Sequence, residues 1–595
     1  MNVRFPNPVA RAAPRREALA VGALALAVAA LVGELDPGVD MPRLAEDATI
    51  LCVLALNALP ALTLLALLLA LTQRVLLSTW LVALAIGALY SANAAKLGAL
   101  QTPLLPADLR LLAAPGAAFH LLGPYLHPRA LSALALAVGV TALLFRERRL
   151  ALLDRRRSAA LAAAALLTGA SLVAGSAPWR QLYRSAGLAL EPWSLAESAV
   201  RSGLIGGLLL YHWEIHGGDV PAADRDAALA LLRRHAPALR EALAAAAAPA
   251  ERPDIVVVQS ESLFDPARLR AVPAGRHLHE YARLAHSGRS GALRVPTFGG
   301  GTIRTEFEVL TGAPLASLGG VQYPWLELDV DAYPSLARTL GAHGYRRVAI
   351  HPNAAAFWNR ARAYPALGFE RFVDAAAFAP EQTVGLFTSD AALTERVLAE
   401  LDDDGPPQFV FAISIENHGP FDWRPGLDAD RLAAIALPDA LDDAARPWLA
   451  HYLYLADDAD RALGRLADAL RARGRRTLLL FYGDHLPDLG PVYAELGFDD
   501  GRDAHDQPVP WLLLDSADPR PRRLDARSWM LPGLLLAAAG VHDGGYFDVV
   551  RALTHAPGFD ADEADTADGL DALARLQLRG ELDPVLREAL GAAAG

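Results

Sequence analysis

The chain predicts two parts of different class: an N-terminal α-helical membrane domain of about five spans, and after it an α/β domain built on a mainly parallel sheet. Two observations carry this. Up to residue 176 the sequence is dense in Leu, Ala and Val, in runs near the roughly 20 residues that a bilayer-crossing helix requires. From Asp254 it changes to short β-branched runs alternating with helical stretches, the pattern of parallel strands covered by helices.

Composition narrows the chemistry. The 595 residues are 53% hydrophobic and carry a formal net charge of −12, which argues against non-specific nucleic-acid binding. The single cysteine, Cys52, lies inside an apolar run, so an intramolecular disulfide and a Cys-based zinc site are both excluded. Any metal must be held by oxygen and imidazole.

Taken in order, residues 1–16 read as a cytoplasmic tail and 17–176 as the transmembrane domain, with spans at roughly 17–35, 48–71, 75–95, 129–145 and 158–176. Arg4, Arg11, Arg15 and Arg16 in the tail, Arg74 between the second and third spans, and Arg146, Arg148, Arg149, Arg155, Arg156 and Arg157 between the fourth and fifth all fall on one side of such a bundle. The opposite loop carries Asp36, Asp40, Glu46 and Asp47. The positive side is cytoplasmic, so everything after about residue 177 is expected outside the inner membrane of a bacterium, in the periplasmic or extracytoplasmic space. ATP is absent there, and a transferase would draw its donor from an already activated lipid head group. Residues 177–252 form a connector. Within it Gly203–Trp213 is apolar but too short to span, and is expected at the interface or against the catalytic domain, while Ala222–Ala248 has helical periodicity. The catalytic domain covers 253–555. An acidic tail, helical from about 568 to 591, covers 556–595 and reads as a solvated appendage or a packing helix.

In parallel sheets, ligands bind beyond the carboxyl ends of the strands. Four predicted strands end in polar groups there: Ile255–Gln259 runs into Ser260-Glu261-Ser262, Arg347–Ile350 into His351-Pro352-Asn353, Phe409–Ser414 into Glu416-Asn417-His418-Gly419-Pro420, and Thr477–Tyr482 into Gly483-Asp484-His485. One such ending is commonplace; four, in a chain with only 16 histidines, point to convergence on one sheet edge. Glu261, Asp484 and His485 supply two carboxylates and one imidazole for a divalent cation. Such an oxygen-rich set suits Mn²⁺ or Mg²⁺ and is also able to hold Zn²⁺.

The stretch Gly299-Gly300-Gly301-Thr302 adds a nucleophile. The glycines allow a sharp turn and close approach to a ligand, and Thr302 opens a helix predicted to reach about Leu310. Glu306 follows one turn later on the same face. Thr302 would complete the metal shell through its oxygen, and coordination would lower its hydroxyl pKa for attack on phosphorus. No Lys follows the glycines at P-loop spacing. In Phe357-Trp358-Asn359-Arg360, Trp358 is placed to wall off a glycerol or sugar and Arg360 offers a planar fork for phosphate oxygens. His418 is placed to protonate a leaving alkoxide or hold an acceptor hydroxyl. Read singly, each of these is as well explained by an ordinary cap, loop or core residue.

At these motifs the chain resembles the lipoteichoic acid synthase and phosphoglycerol transferase family, within the sulfatase/alkaline phosphatase superfamily. The resemblance rests on Ser260-Glu261-Ser262-Leu263, Gly301–Phe307, His351-Pro352-Asn353 with Phe357–Arg360, Glu416–Phe421 and Tyr482–His485, and on the outward loop Asn93…Lys96…Pro103–Leu109. It implies a sulfatase-like catalytic domain in which Glu261, Thr302, Asp484 and His485 bind one cation, Mn²⁺ or Mg²⁺. It implies that Thr302 is the nucleophile, and that His351, Trp358, Arg360 and His418 contact the glycerophosphate, with Asn353 beside them where some members carry an acidic residue. It further implies a ping-pong transfer from phosphatidylglycerol, through Thr302, to a glycan or glycerophosphate polymer. The Arg- and Ala-rich composition favours a periplasmic glucan or another envelope glycan as acceptor. Other readings are a phosphoethanolamine transferase or another superfamily phosphodiester hydrolase, and a catalytically silent lipid-binding regulator. A sulfatase is disfavoured because position 302 is Thr and Cys52 lies in the membrane part.

Overall fold

The computed structural model describes residues 8–39, 41–44, 48–100, 103–106, 108, 128–150, 153–189, 195–214, 220–244, 252–328, 330, 333–355 and 357–591. The chain divides into two compact units, residues 1–216 and 217–595.

Among the described residues of the first unit, three helices are long and apolar enough to cross a membrane: Arg16–Leu35, Thr49–Thr72 and Val75–Leu97. Arg155–Val173 joins them only if it is counted with Ala177–Ser185 across a 71° bend. The expected fourth span appears as Pro128–Leu144, whose apolar part, Ser132–Leu144, covers only about 20 Å at helical rise, against a hydrocarbon core of about 30 Å. Three or four candidates therefore replace the five expected. The three long helices share a core of Val28, Val32, Ala61, Leu65, Val82 and Ile86, which Leu204 completes. Leu204 opens the short apolar helix Leu204–Glu214, which is fastened to this bundle by polar bonds. Its Leu204 amide donates to Asp36 Oδ2 at 3.0 Å, and Gly206 N donates to Asn57 Oδ1 at 2.7 Å. Tyr90 also donates to Asp36, at 2.6 Å.

Two of the Arg-rich segments meet. Arg74 Nε donates to the Glu147 carbonyl at 3.0 Å, Leu150 N donates to Gln73 O at 2.7 Å, and the Glu147 carboxylate accepts from Leu76 N and Leu77 N. In the outward loop, Lys96 Nζ donates to Asp108 Oδ2 at 2.7 Å and to Pro103 O, while Asn93 accepts from Leu104 N. Ala107 and residues 109–127 of that region, with Asp40 and residues 45–47 of the acidic loop, lie outside the described residues.

The second unit is built on β1 (Asp254–Ser260), β2 (Gly288–Arg294), β3 (Arg346–Ile350), β4 (Arg371–Val373), β5 (Thr383–Val384), β6 (Phe387–Thr388), β7 (Gln408–Ile413), β8 (Thr477–Gly483), β9 (Val509–Asp515), β10 (Arg522–Arg523) and β11 (Ala526–Arg527). Strands β5 and β6 form a separate hairpin. The others make one sheet in the order β10-β2-β9-β8-β1-β7-β3-β4, with β11 also on β2. Pairing is parallel except where β9 meets β2 and β8. This is the mainly parallel sheet expected. Strands β1, β7 and β8 are buried along their whole length, which is why they read as unbroken Val, Ile, Leu and Phe rather than as alternating runs.

The connector residues fold as helices Arg225–Arg234 and Ala236–Ala244, and the tail as Ala564–Leu578 and Leu582–Leu590. The two pairs pack together: Arg225 and Arg233 both reach Glu588, at 2.6 and 3.0 Å, and Arg240 donates to Leu590 O. The tail is a packing element rather than a solvated appendage.

Candidate active site

Register places the site. Strand β1 is paired parallel to β8 and β7, with Ser260 level with Gly483 and Gln259 level with Ile413. The residues just beyond these strands, Glu261, Ser414, Asp484 and His485, thus leave the sheet at one edge. Glu261 N donates to Ser414 Oγ at 2.9 Å and Ser262 N donates to Asp484 Oδ1 at 2.7 Å.

Glu261, Asp484 and His485 each offer a ligand atom within 4.8 Å of the others, and all three are buried. His485 Nε2 lies 3.5 Å from Glu261 Oε1 and 3.5 Å from Asp484 Oδ2. His485 Nδ1 donates to the Leu486 carbonyl at 2.9 Å, which leaves Nε2 as the lone-pair nitrogen facing the carboxylates. Neither Nε2 nor Asp484 Oδ2 has a hydrogen-bond partner. Burial lowers the His485 pKa and keeps the ring neutral, while burial and the neighbouring Glu261 raise that of Asp484 well above the usual carboxyl range. Orphaned buried atoms, a neutral imidazole and two carboxylates that repel one another fit a divalent cation.

Thr302 stands at this trio. The helix Thr302–Thr311 starts after Gly301, whose φ of 76° is left-handed and whose missing Cβ would come 3.1 Å from Thr297 Oγ1 and 3.2 Å from Arg304 Cδ. Both the left-handed backbone and the close neighbours favour glycine here. Thr302 Oγ1 donates to Glu261 Oε2 at 3.2 Å. One turn along, Thr305 Oγ1 donates to the Asp484 carbonyl at 2.7 Å, tying the helix to the β8 end. Gln259 Nε2 donates to the Thr302 carbonyl at 3.2 Å, and Tyr482 OH donates to Gln259 Oε1 at 2.8 Å. Sequence reasoning gave Gln259 and Thr305 no role; the signal for Thr305 was its i+3 spacing from Thr302.

The residues expected to bind substrate divide. His351 is buried at the end of β3, with Nδ1 donating to Ile413 O at 3.2 Å. Burial and the adjacent Arg360 charge hold its pKa well below the ordinary range. Asn353 is half-buried and turns its Oδ1 back to Ala354 N at 2.7 Å. Trp358 is buried and stacks on Tyr323 at 5.0 Å between centroids. Trp358 and Asn359 both adopt left-handed backbone, φ 56° and 59°, a costly conformation for two consecutive non-glycine residues. Arg360, 1% exposed, is paired with Glu306. His418 is exposed, with Nδ1 donating to the Gly419 carbonyl at 2.9 Å, so its Nε2 is the outward nitrogen. Glu416, from the same strand-end motif, is not among the clustered ligand atoms: its Oε2 accepts from Asp390 N at 2.6 Å. Burial and the proximity of the two carboxyls raise the Glu416 pKa, and burial with Asp458 raises that of Asp390.

Residues 253–531 match the Sulfatase family. The chain is 35% identical over 249 residues to a Rhizobium meliloti (strain 1021) protein described as "Putative cyclic beta-1,2-glucan modification protein", covering 42% of this chain and 38% of that one. It is 25% identical over 160 residues to lipoteichoic acid synthase 1 of Bacillus subtilis (strain 168), covering 26% of this chain and 24% of that protein. The chain thus spans well under two thirds of these relatives. The phosphoglycerol transferase GacH of Streptococcus pyogenes, solved with sn-glycerol-1-phosphate, shares the fold with a TM-score of 0.51 at 19% identity, over 60% of this chain and 95% of that one.

Proposed function

We propose that this protein is a metal-dependent phosphoglycerol transferase that moves glycerophosphate from phosphatidylglycerol to a cell-envelope glycan, anchored in the inner membrane by its N-terminal helices with the sulfatase domain outside the cytoplasm. The observation that carries the reading is the hydrogen bond from the Thr302 hydroxyl to Glu261, inside the buried Glu261–Asp484–His485 trio. The relatives support the substrates: one is described by its modification of a glucan, another is a lipoteichoic acid synthase.

Glu261, Asp484, His485 and Thr302 would hold the cation, Mn²⁺ or Mg²⁺ by ligand chemistry. When bound, it supplies the Lewis acidity that makes a threonine hydroxyl a nucleophile at neutral pH. Thr302 Oγ1 then forms a bond to phosphorus as its proton passes along its hydrogen bond to Glu261 Oε2, and the bond from phosphorus to the diacylglycerol oxygen breaks. That oxygen takes a proton from His418. In the second half the acceptor hydroxyl gives a proton back to His418 and takes the phosphoglycerol, and Thr302 regains its own proton. Thr305, one turn along the helix, holds the nucleophile in register through its bond to the Asp484 carbonyl.

Release of diacylglycerol from fluorescent phosphatidylglycerol by the full chain in detergent tests this. Native protein with Mn²⁺ is expected to release it, and Thr302→Ala to lose at least about 10³ of the rate, the scale of a removed nucleophile. Equal release by both proteins would refute the assignment of Thr302. Release from phosphatidylethanolamine alone would turn the reading to an ethanolamine-phosphate donor.

A further inference from the structure

The helix that Thr302 opens carries one member of a fully buried ion pair, Glu306 with Arg360, that the proposed reaction leaves without a task. Arg360 Nη2 donates to Glu306 Oε2 at 2.8 Å, and Arg360 Nε donates to the same oxygen at 3.1 Å. The pair is 1% and 0% exposed. Glu306 is further fixed by Trp325, whose Nε1 donates to its Oε1 at 2.8 Å, and Trp325 in turn accepts from Asn359 Nδ2 through its carbonyl. The left-handed Trp358-Asn359 turn delivers Arg360 to this place. Tyr364 adjoins the pair on the same helix as Arg360; Arg360 Nη1 and Tyr364 OH are both buried, and neither makes a hydrogen bond of good geometry.

The charge balance of this wall is unusual for a site that binds phosphorus esters. A lone guanidinium would present a full positive charge. Here the Glu306 carboxylate cancels it, while the orphaned Nη1 keeps one directed hydrogen bond. His351, close to Arg360, is kept neutral. On the metal-competent side, two carboxylates match the two charges of a divalent cation. Arg304, on the Thr302 helix and acting on His485, adds one positive charge, so the site as a whole accommodates one negative charge better than two. A phosphodiester carries one at neutral pH; a phosphomonoester carries close to two, its second pKa being near 6.

We infer that Glu306 is a specificity-determining residue: by neutralising Arg360 it fits the site to singly charged phosphodiesters and turns away doubly charged phosphomonoesters, Arg360 Nη1 being the donor to the bound phosphoryl group. This rests on the phosphoester-transfer reading above and adds the charge class of its substrate. Glu306 acts through Arg360 and touches no reacting atom, so it is a positioning residue.

The test is the ratio of kcat/KM for bis-p-nitrophenyl phosphate to that for p-nitrophenyl phosphate, measured on the full chain in detergent with Mn²⁺. Glu306→Gln is close to isosteric and leaves Arg360 with an uncompensated charge; the ratio is expected to fall about tenfold or more, on the scale of one unit charge acting over a few ångströms in a poorly solvated site. Arg360→Gln, which leaves Glu306 uncompensated, is expected to raise it. The double variant, neutral again, is expected to return within about threefold of native although both rates are lower. As a readout independent of turnover, calorimetric titration with inorganic phosphate at about pH 8 is expected to show tighter binding to Glu306→Gln than to native. A ratio that stays within about twofold of native while both rates fall, or phosphate binding that does not tighten, overturns the proposal and leaves Glu306 a structural residue. If Glu306→Gln does not fold, the opposite shifts expected of Arg360→Gln and the double variant decide, and a failure of either shift counts against it. Native protein that cleaves neither ester nor phosphatidylglycerol removes the transfer reading and this inference with it; diester cleavage with an unmoved ratio removes this inference alone.

Discussion

Asp484 is held by contradictory forces. Its Oδ1 accepts from the amides of Ser262 and His485, at 2.7 and 2.8 Å, while its Oδ2 faces Glu261 and His485 with nothing to satisfy it. Without a cation the two carboxylates repel in a buried space, a destabilising arrangement that a bound ion reverses. Chelation is therefore expected to lower the melting temperature of native protein. Asp484→Asn should abolish activity yet make the metal-free protein more stable than metal-free native by about 1 kcal/mol or more, since the amide keeps the Oδ1 acceptor and removes the repulsion. Denaturation curves in chelator compare the two, and a variant less stable than native there would sink the idea of a cation-tuned trio. Glu261, Thr302, Asp484 and His485 were legible in the sequence because each is read locally, at a strand end or after a glycine turn. The Glu306–Arg360 pair was not. Its partners are 54 positions apart, and they meet only because two non-glycine residues adopt left-handed backbone, for which Trp358-Asn359 carries no local signal.

At the scale of elements, the Thr302–Thr311 helix carries a second buried acid on its other side. Glu308 accepts from Leu315 N at 2.8 Å and from Ser528 Oγ, with Arg527 and Tyr546 as its charged and titratable neighbours. Burial pushes its pKa up to about 7. The folded state thus binds this proton more tightly than the unfolded chain does. The stability it contributes is complete below the ordinary glutamate range and is lost as pH rises toward about 7. Native protein is expected to lose roughly 3 kcal/mol from this group across that window, and Glu308→Gln to lack that part of the slope. Denaturant midpoints at pH 5 and pH 8 measure it; equal slopes for native and variant would dismiss Glu308 as the source. The sheet was legible because β1, β7 and β8 are unbroken apolar runs bounded by polar residues. The helix Pro128–Leu144 was overread as a span because its composition is that of a membrane segment while its length is not.

For the molecule as a whole, the division at residues 216 and 217 gives the second unit its own sheet, core and tail clamp. A fragment beginning at Gly217 is expected to unfold in a single cooperative transition and to retain cleavage of a soluble diester, while losing activity on phosphatidylglycerol in vesicles. Chemical denaturation and the two assays side by side check this, and a fragment that stays aggregated in every buffer would show that the first unit is needed for folding. The positive-charge pattern put the turn at Arg74 and the loop after Arg146 on one side of the bundle; that the two are bonded to each other is visible only in the structure. It was silent on Asp36 and Asn57, the polar fastenings of Leu204–Glu214, because a buried carboxylate and a loop carboxylate look alike in sequence.

The order of strands also sets a schedule for biogenesis. Strand β1 is the first of the sheet to be made, yet it lies between β7 and β8. Its second neighbour is synthesised roughly two hundred residues later, about 10–45 s at ordinary elongation rates, and the helix Leu582–Leu590 that closes on Arg225–Arg234 later still. Through that interval the nascent segment has no complete sheet to fold into. The sheet therefore closes around β1 only once most of the domain has been made.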